Sequence, residues 1–263
     1  MGVRRNVELG EFLQSRRARL KPEDVGLPSE GRRRAAGLRR EEVARRSGIS
    51  TEWYVKLEQG RVISPSAETL ASLAKALMLS AVEQAHLRAL AQGGRDGRFL
   101  RETVPEVLRM VVEGLAEPAY LTGERWDVLA WNNAAVQLFT DFATLPDEDR
   151  NILVYMLLDP AARKLFGRSW AAEAQRMVSL FRVNYDLWAP DPSFVELVER
   201  LRAGCPEFMA WWREHGVSAP VSGEKHLMHA SRGPLDFRYS TLKANDDPRL
   251  KLSIYVENRR RGK

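Results

Sequence analysis

The stretch LRREEVARRSGISTEWYVKLEQG, residues 38–60, loads guanidinium and ammonium groups around a Ser-Gly-Ile corner, with no nucleotide loop or catalytic cluster beside it. Such groups suit a polyanion: cations neutralise phosphates, and a short polar helix face can hydrogen-bond to base edges. Lys56 can donate to guanine O6 and N7 or to a phosphate, Glu52 can accept from cytosine N4, and Thr51 or Val55 can touch a thymine methyl. Arg39 and Arg40 stand at the start of a short helix, where backbone N–H groups also favour phosphate. Arg61 and the run 32–34 would add backbone contacts. Simpler roles compete: Arg39 and Arg40 solvated or paired with Glu42, Glu52 supporting a helix start, Trp53 in the core, and Glu58 as the ion partner of an arginine on the first helix.

Other chemistry-bearing residues lead elsewhere. His226 and His229 in HLMH are three apart, and on a strand that spacing turns them to opposite sides, so they would not converge on a metal. A single cysteine, Cys205, permits no internal disulfide and no multi-cysteine zinc site. GxSxG, HExxH, Walker and dinucleotide fingerprints are missing from the sequence, so the chain is not expected to be an enzyme, and no cofactor is implied.

The elements that must hold the basic stretch follow from periodicity. Residues 7–19 carry Leu9, Phe12 and Leu13 at helical spacing and end in arginines. A second helix is expected over 39–46 with Val43 and Ala44 inward, and Gly48 supplies the positive φ of the corner. Ser50 can then cap a third helix over 51–59 that stops at Gly60. Ile49, Tyr54 and Leu57 point inward from it, leaving Thr51, Glu52, Val55 and Lys56 on the outer side. A fourth helix begins behind Ser66, and Ser80 with Glu83 forms a capping box for a fifth.

Charge divides the same way. Residues 1–92 hold 17 Lys and Arg against 11 Asp and Glu, whereas residues 93–263 hold 24 of each. A basic front and a neutral back imply different partners. After a glycine-rich linker the pattern changes: AYLTGERWDVLAWNN suggests a β-hairpin, helices are expected at 134–141, 149–158, 160–183, 193–203 and 206–215, and KHLMHA, LDFRYSTLKA and LKLSIYVE suggest strands. Strands at both ends with helices between them can close one antiparallel sheet carrying helices on one side, an α+β domain.

LRREEVARRSGIS, WYVKLEQGR and PSAETLASLAKAL together resemble the XRE family of phage-repressor-like regulators. GLRREEVA and YVKLEQGR, with RWDVLAWN, LFTDFATLP, DPAAR, PEFMAWWREHGV, SGEKHLMH and LDFRYSTL, resemble its MmyB-like subgroup over nearly the whole chain. The resemblance implies a multidomain protein: an all-α lambda-repressor-like helix-turn-helix domain at 1–92, a linker at 93–104, an α+β PAS-like ligand-binding domain at 105–258 and a basic tail at 259–263. It implies a one-component transcriptional regulator that binds an operator on double-stranded DNA and senses a small ligand. Its DNA-facing residues would be Arg39, Arg40, Ser50, Thr51, Glu52, Val55, Lys56 and Arg61. The loop 20–37 is longer than in minimal XRE domains.

Six of the seven tryptophans lie after residue 100. Those aromatics are either plain core or the lining of an apolar cavity; the resemblance favours a cavity, suited to a fatty acyl chain, with Trp131, Phe181, Trp212, His229, Phe237 and Tyr239 as candidates. A homodimer on a palindromic operator is expected. No apolar run approaches the length of a membrane span, and MGVRRNVELG lacks an apolar segment behind its charges, so a cytoplasmic location without membrane contact is expected. A protein-interaction adaptor and a ligand-binding enzyme without a known motif are the alternatives.

Overall fold

In a computed structural model the described residues are 2–28, 37–61, 65–92, 97–188, 191–214, 216 and 222–258, with side chains from residue 7 onward. The run 32–34, part of the linker and the tail 259–263 lie outside them. Their contacts form two compact units: residues 1–98, 182–195 and 212–218, and the remaining segments.

The first unit begins with α1 (Gly2–Arg19), α2 (Arg40–Ser47), α3 (Thr51–Glu58), α4 (Ala67–Ala76) and α5 (Ala81–Ala91). Each of the last three starts on the serine expected: Ser50, Ser66 and Ser80 accept from the backbone N–H three residues on. Glu83 returns a bond to the Ser80 N–H, completing the capping box. Gly48 has φ +68°, so α2 ends where a left-handed residue costs least. Leu9, Phe12, Leu13, Val43, Ala44, Tyr54, Leu57, Leu70, Leu73 and Leu87 form one core, with Ile49 and Trp53 against its margin. Gly10 is required by closeness: a Cβ there would stand 2.3 Å from the Glu58 carbonyl oxygen, so only a bare α-carbon lets α1 lie on the end of α3.

The second unit holds a five-stranded antiparallel sheet in the order β2-β1-β5-β4-β3. Before its first hairpin comes α6 (Glu106–Gly114), then β1 (Ala119–Thr122) and β2 (Val128–Trp131). Next are α7 (Asn133–Leu138), α8 (Ile152–Leu158), α9 (Pro160–Phe166), α10 (Trp170–Trp188), α11 (Pro192–Gly204) and α12 (Phe208–Arg213). The chain closes with β3 (Gly223–His229), β4 (Gly233–Lys243) and β5 (Lys251–Glu257). Residues from Arg182 in α10, up to Val195 in α11 and from Trp212 in α12 belong to the first unit.

The sheet has two apolar faces. Leu121 and Ala130 meet Val112 of α6 and Leu250 on one. Alternation along the strands turns Tyr120, Phe237, Tyr239 and Tyr255 to the other. Helices therefore cover both sides, rather than one as the sequence led us to expect. The single helix expected over 160–183 is two, broken at Gly167 (φ +49°, ψ −126°). α6 carries no counterpart among the expected helices: it buries Val112 but leaves Val107, Met110 and Val111 exposed. No helix among the described residues is long and apolar enough to cross a membrane.

Candidate DNA-reading face and ligand-binding sheet

The outer side of α3 is built by what its inner side buries. Tyr54 and Leu57 are fully enclosed, which turns Thr51, Glu52 and Lys56 to the surface and leaves Val55 half-buried. Ser50 spends its hydroxyl on the cap, accepting from the Trp53 N–H at 3.2 Å. Glu52 and Lys56 pair at 2.7 Å, one helical turn apart. The hydrogen bond and charge of Lys56 hold the Glu52 carboxyl below the usual carboxylate range. Glu52 thus orients the lysine and offsets part of its charge.

Arg39 is the residue before α2, and its N–H donates to Glu42 at 2.6 Å while its exposed guanidinium stands 3.4 Å from Glu41. Arg40 leans the other way, donating to Glu58 Oε2 at 2.5 Å, and remains half-exposed. Glu58 itself is buried between Arg40 and Arg17, which reaches it from α1 at 2.5 Å. The ion pair expected between Glu58 and an arginine of the first helix is therefore formed. Arg61 is exposed just past α3, its N–H closing the turn onto the Lys56 carbonyl at 2.8 Å.

On the sheet, Tyr239 stacks on Tyr255 at 5.8 Å, and Phe237 and Phe139 stand edge-on to the Tyr255 ring at 6.4 and 5.1 Å. The Tyr120 and Tyr255 hydroxyls are 3.3 Å apart. Over this face lie Arg176 of α10, 5.4 Å from the Tyr239 ring, and Lys225 of β3, 4.3 Å from the same ring and hydrogen-bonded to Glu173. Burial lowers the Lys225 ammonium to about 8, with the Glu173 hydrogen bond opposing the fall.

The six aromatic and histidine candidates do not form one cluster. Phe237 and Tyr239 share the face just described. Trp131, opposite Tyr120 in the β1–β2 ladder, joins that face through Phe142 at 5.6 Å, Tyr155 and Phe139, whereas Phe181 is edge-on to Trp126 at 5.8 Å. Trp212 belongs to the first unit, against Tyr185 and Arg182. His229 uses its ring at the end of β3: Nε2 lies 2.9 Å from the Gln137 carbonyl, and Nδ1 meets the Ser231 and Arg232 N–H groups. His226 pairs with Asp236 at 2.6 Å, so the two histidines have separate partners.

Tyr120, Phe139, Tyr255 and Arg176 of this face stand outside the sequence-based candidates, as do Lys225, Glu173 and Trp126. Lys225 and Glu173 have no local signature because they are 52 positions apart. Trp126 takes φ +68° in the β1–β2 turn, a position where glycine is common, and its buried indole N–H has no partner among the described residues.

A two-helix corner with a capped, outward polar helix in one unit and a sheet with helices in the other fit a DNA-binding regulator with a sensor. The comparisons agree and are more specific. A helix-turn-helix domain matches residues 8–87, and the MmyB-like transcription regulator ligand binding domain matches residues 104–260. The chain belongs to the MmyB-like transcription regulators, and its back half is their ligand-binding domain. No curated protein matches it.

Proposed function

We propose that α3 enters the major groove of an operator by its amino end, with Thr51, Val55 and Lys56 toward the bases and Arg39, Arg40 and Arg61 on the flanking phosphates. The observation that carries this reading is the exposed polar side of α3, capped by Ser50 and bordered by those arginines. Ser50 serves as a cap first and Glu52 as the holder of Lys56. Two copies would place two such helices one DNA turn apart, roughly 34–36 Å, on a palindrome. Selecting bound fragments from a genomic library with the full-length protein tests this: enrichment of a two-fold symmetric sequence supports it, and binding without sequence preference refutes it.

For the sensor, the aromatic face made by Tyr120, Phe139, Phe237, Tyr239 and Tyr255 supports an elongated apolar ligand such as a fatty acid. Lys225 and Arg176 at its edge supply positive charge for a carboxylate. Native mass spectrometry of gently purified protein should show a carried-over small molecule; a clean apo mass together with no binder in a lipid screen would favour these rings being plain core.

A further inference from the structure

Arg182 lies among the residues matched by the ligand-binding domain, yet it contacts the reader. Its guanidinium donates to Glu8 Oε2 of α1 at 3.2 Å, stands 3.8 Å from Glu11, and bonds Asp186 on its own helix at 2.8 Å. It also donates to the Trp212 carbonyl at 3.3 Å and stacks 4.3 Å from that indole. The second Asp186 oxygen meets His86 Nε2 of α5 at 2.8 Å, and the His86 ring stands edge-on to Phe12 of α1 at 5.0 Å. The side chains of Arg182, Asp186 and His86 are each 5% exposed or less, so the Arg182–Asp186 ion pair is shielded from solvent.

α1 is in turn the helix that seats the recognition helix. Gly10 lets its backbone touch the Glu58 carbonyl, and two turns further along Arg17 holds the Glu58 side chain at 2.5 and 3.3 Å. One face of α1 thus answers to Arg182 and another to the end of α3. Earlier along the helix that carries Arg182 stand Glu173, which holds Lys225, and Arg176, which lies above Tyr239.

We infer that Arg182 is a positioning residue of the regulator: through Glu8 and Glu11 it sets α1, and through Gly10 and Arg17 α1 sets α3. A ligand that favours one placement of α10 over another would then bias the reading helix, which is the differential interaction that any ligand response needs. This inference rests on the reading that α3 meets DNA.

Hydrogen exchange on the full-length free protein separates the two. In Arg182→Met the amides of 51–58 should exchange at least tenfold faster while those of β4 and β5 stay unchanged, and Arg182→Lys should restore part of the protection. On a duplex selected by the wild type, Arg182→Met should shift affinity at least fivefold although it is remote from α3. If Arg182→Met does not fold, Glu8→Ala, which removes the acceptor on α1 rather than neutralising it, should move the same amides in the same direction. Unchanged exchange in 51–58, or equal acceleration of every core amide, overturns the inference. A wild type that binds no DNA refutes the operator reading, while the exchange measurement still decides the role of Arg182.

Discussion

At the scale of single residues, buried charge gives the sharpest expectations. Glu58 is 1% exposed at its side chain and serves both Arg17 and Arg40. Glu58→Gln should therefore cost about 3–5 kcal/mol in urea unfolding, because Arg17 stays buried without its counter-charge. Glu8 gives a pH signature. Burial first, then the Asp186 carboxylate, push its pKa up to about 7 against the pull of Arg182, with Glu11 adding repulsion. The folded state then binds a proton more tightly than the unfolded chain, whose carboxyl titrates near its ordinary value. Stability should rise as pH falls from above 7 toward 5, and Glu8→Gln should flatten that slope; an unchanged slope in the variant would remove Glu8 as its source. The sequence made part of this layer legible. Glu58 was expected to pair with a first-helix arginine through the resemblance of its stretch to the helix-turn-helix family, whereas Arg182 with Glu8 and Lys225 with Glu173 join distant positions that neither spacing nor resemblance marks.

At the scale of elements, the reader was legible because local signals agree: apolar periodicity, a serine cap and a following glycine fall together at α3, and Ser80 with Glu83 mark α5. Ser80→Ala should cost about 1 kcal/mol by thermal unfolding, since it leaves the Glu83 N–H without its acceptor. Gly10→Ala should do more, destabilising by about 1–3 kcal/mol, because its methyl would meet backbone that cannot give way without moving α3 off α1. A stability equal to wild type would mean that the two helices are less tightly seated than the contact implies. The sensor was harder to read. The break at Gly167 falls inside an apolar pattern that stays helical on both sides, and Trp126 sits at a turn position whose left-handed φ gives no warning in the residue type.

For the whole molecule, the division between basic front and neutral back matches the matched families but not the compact units. Segments 182–195 and 212–218 belong by sequence to the ligand-binding domain and by contact to the reader's unit. A fragment ending at residue 98 loses Arg182 and Asp186, so it should melt at a lower temperature than the same helices in the full chain; equal melting would show that the buried network adds nothing. Charge predicts the salt response of the intact protein: affinity for a selected duplex should fall steeply between 50 and 200 mM salt, as expected when several arginines and lysines displace counterions.

The most direct test of the account is titration of that duplex, at one fixed salt concentration, with wild-type protein and Lys56→Ala. The outward side of α3 predicts a loss of about tenfold, equivalent to about 1.4 kcal/mol, with the fold intact by circular dichroism. Equal affinity of the two proteins for the selected sequence would contradict it.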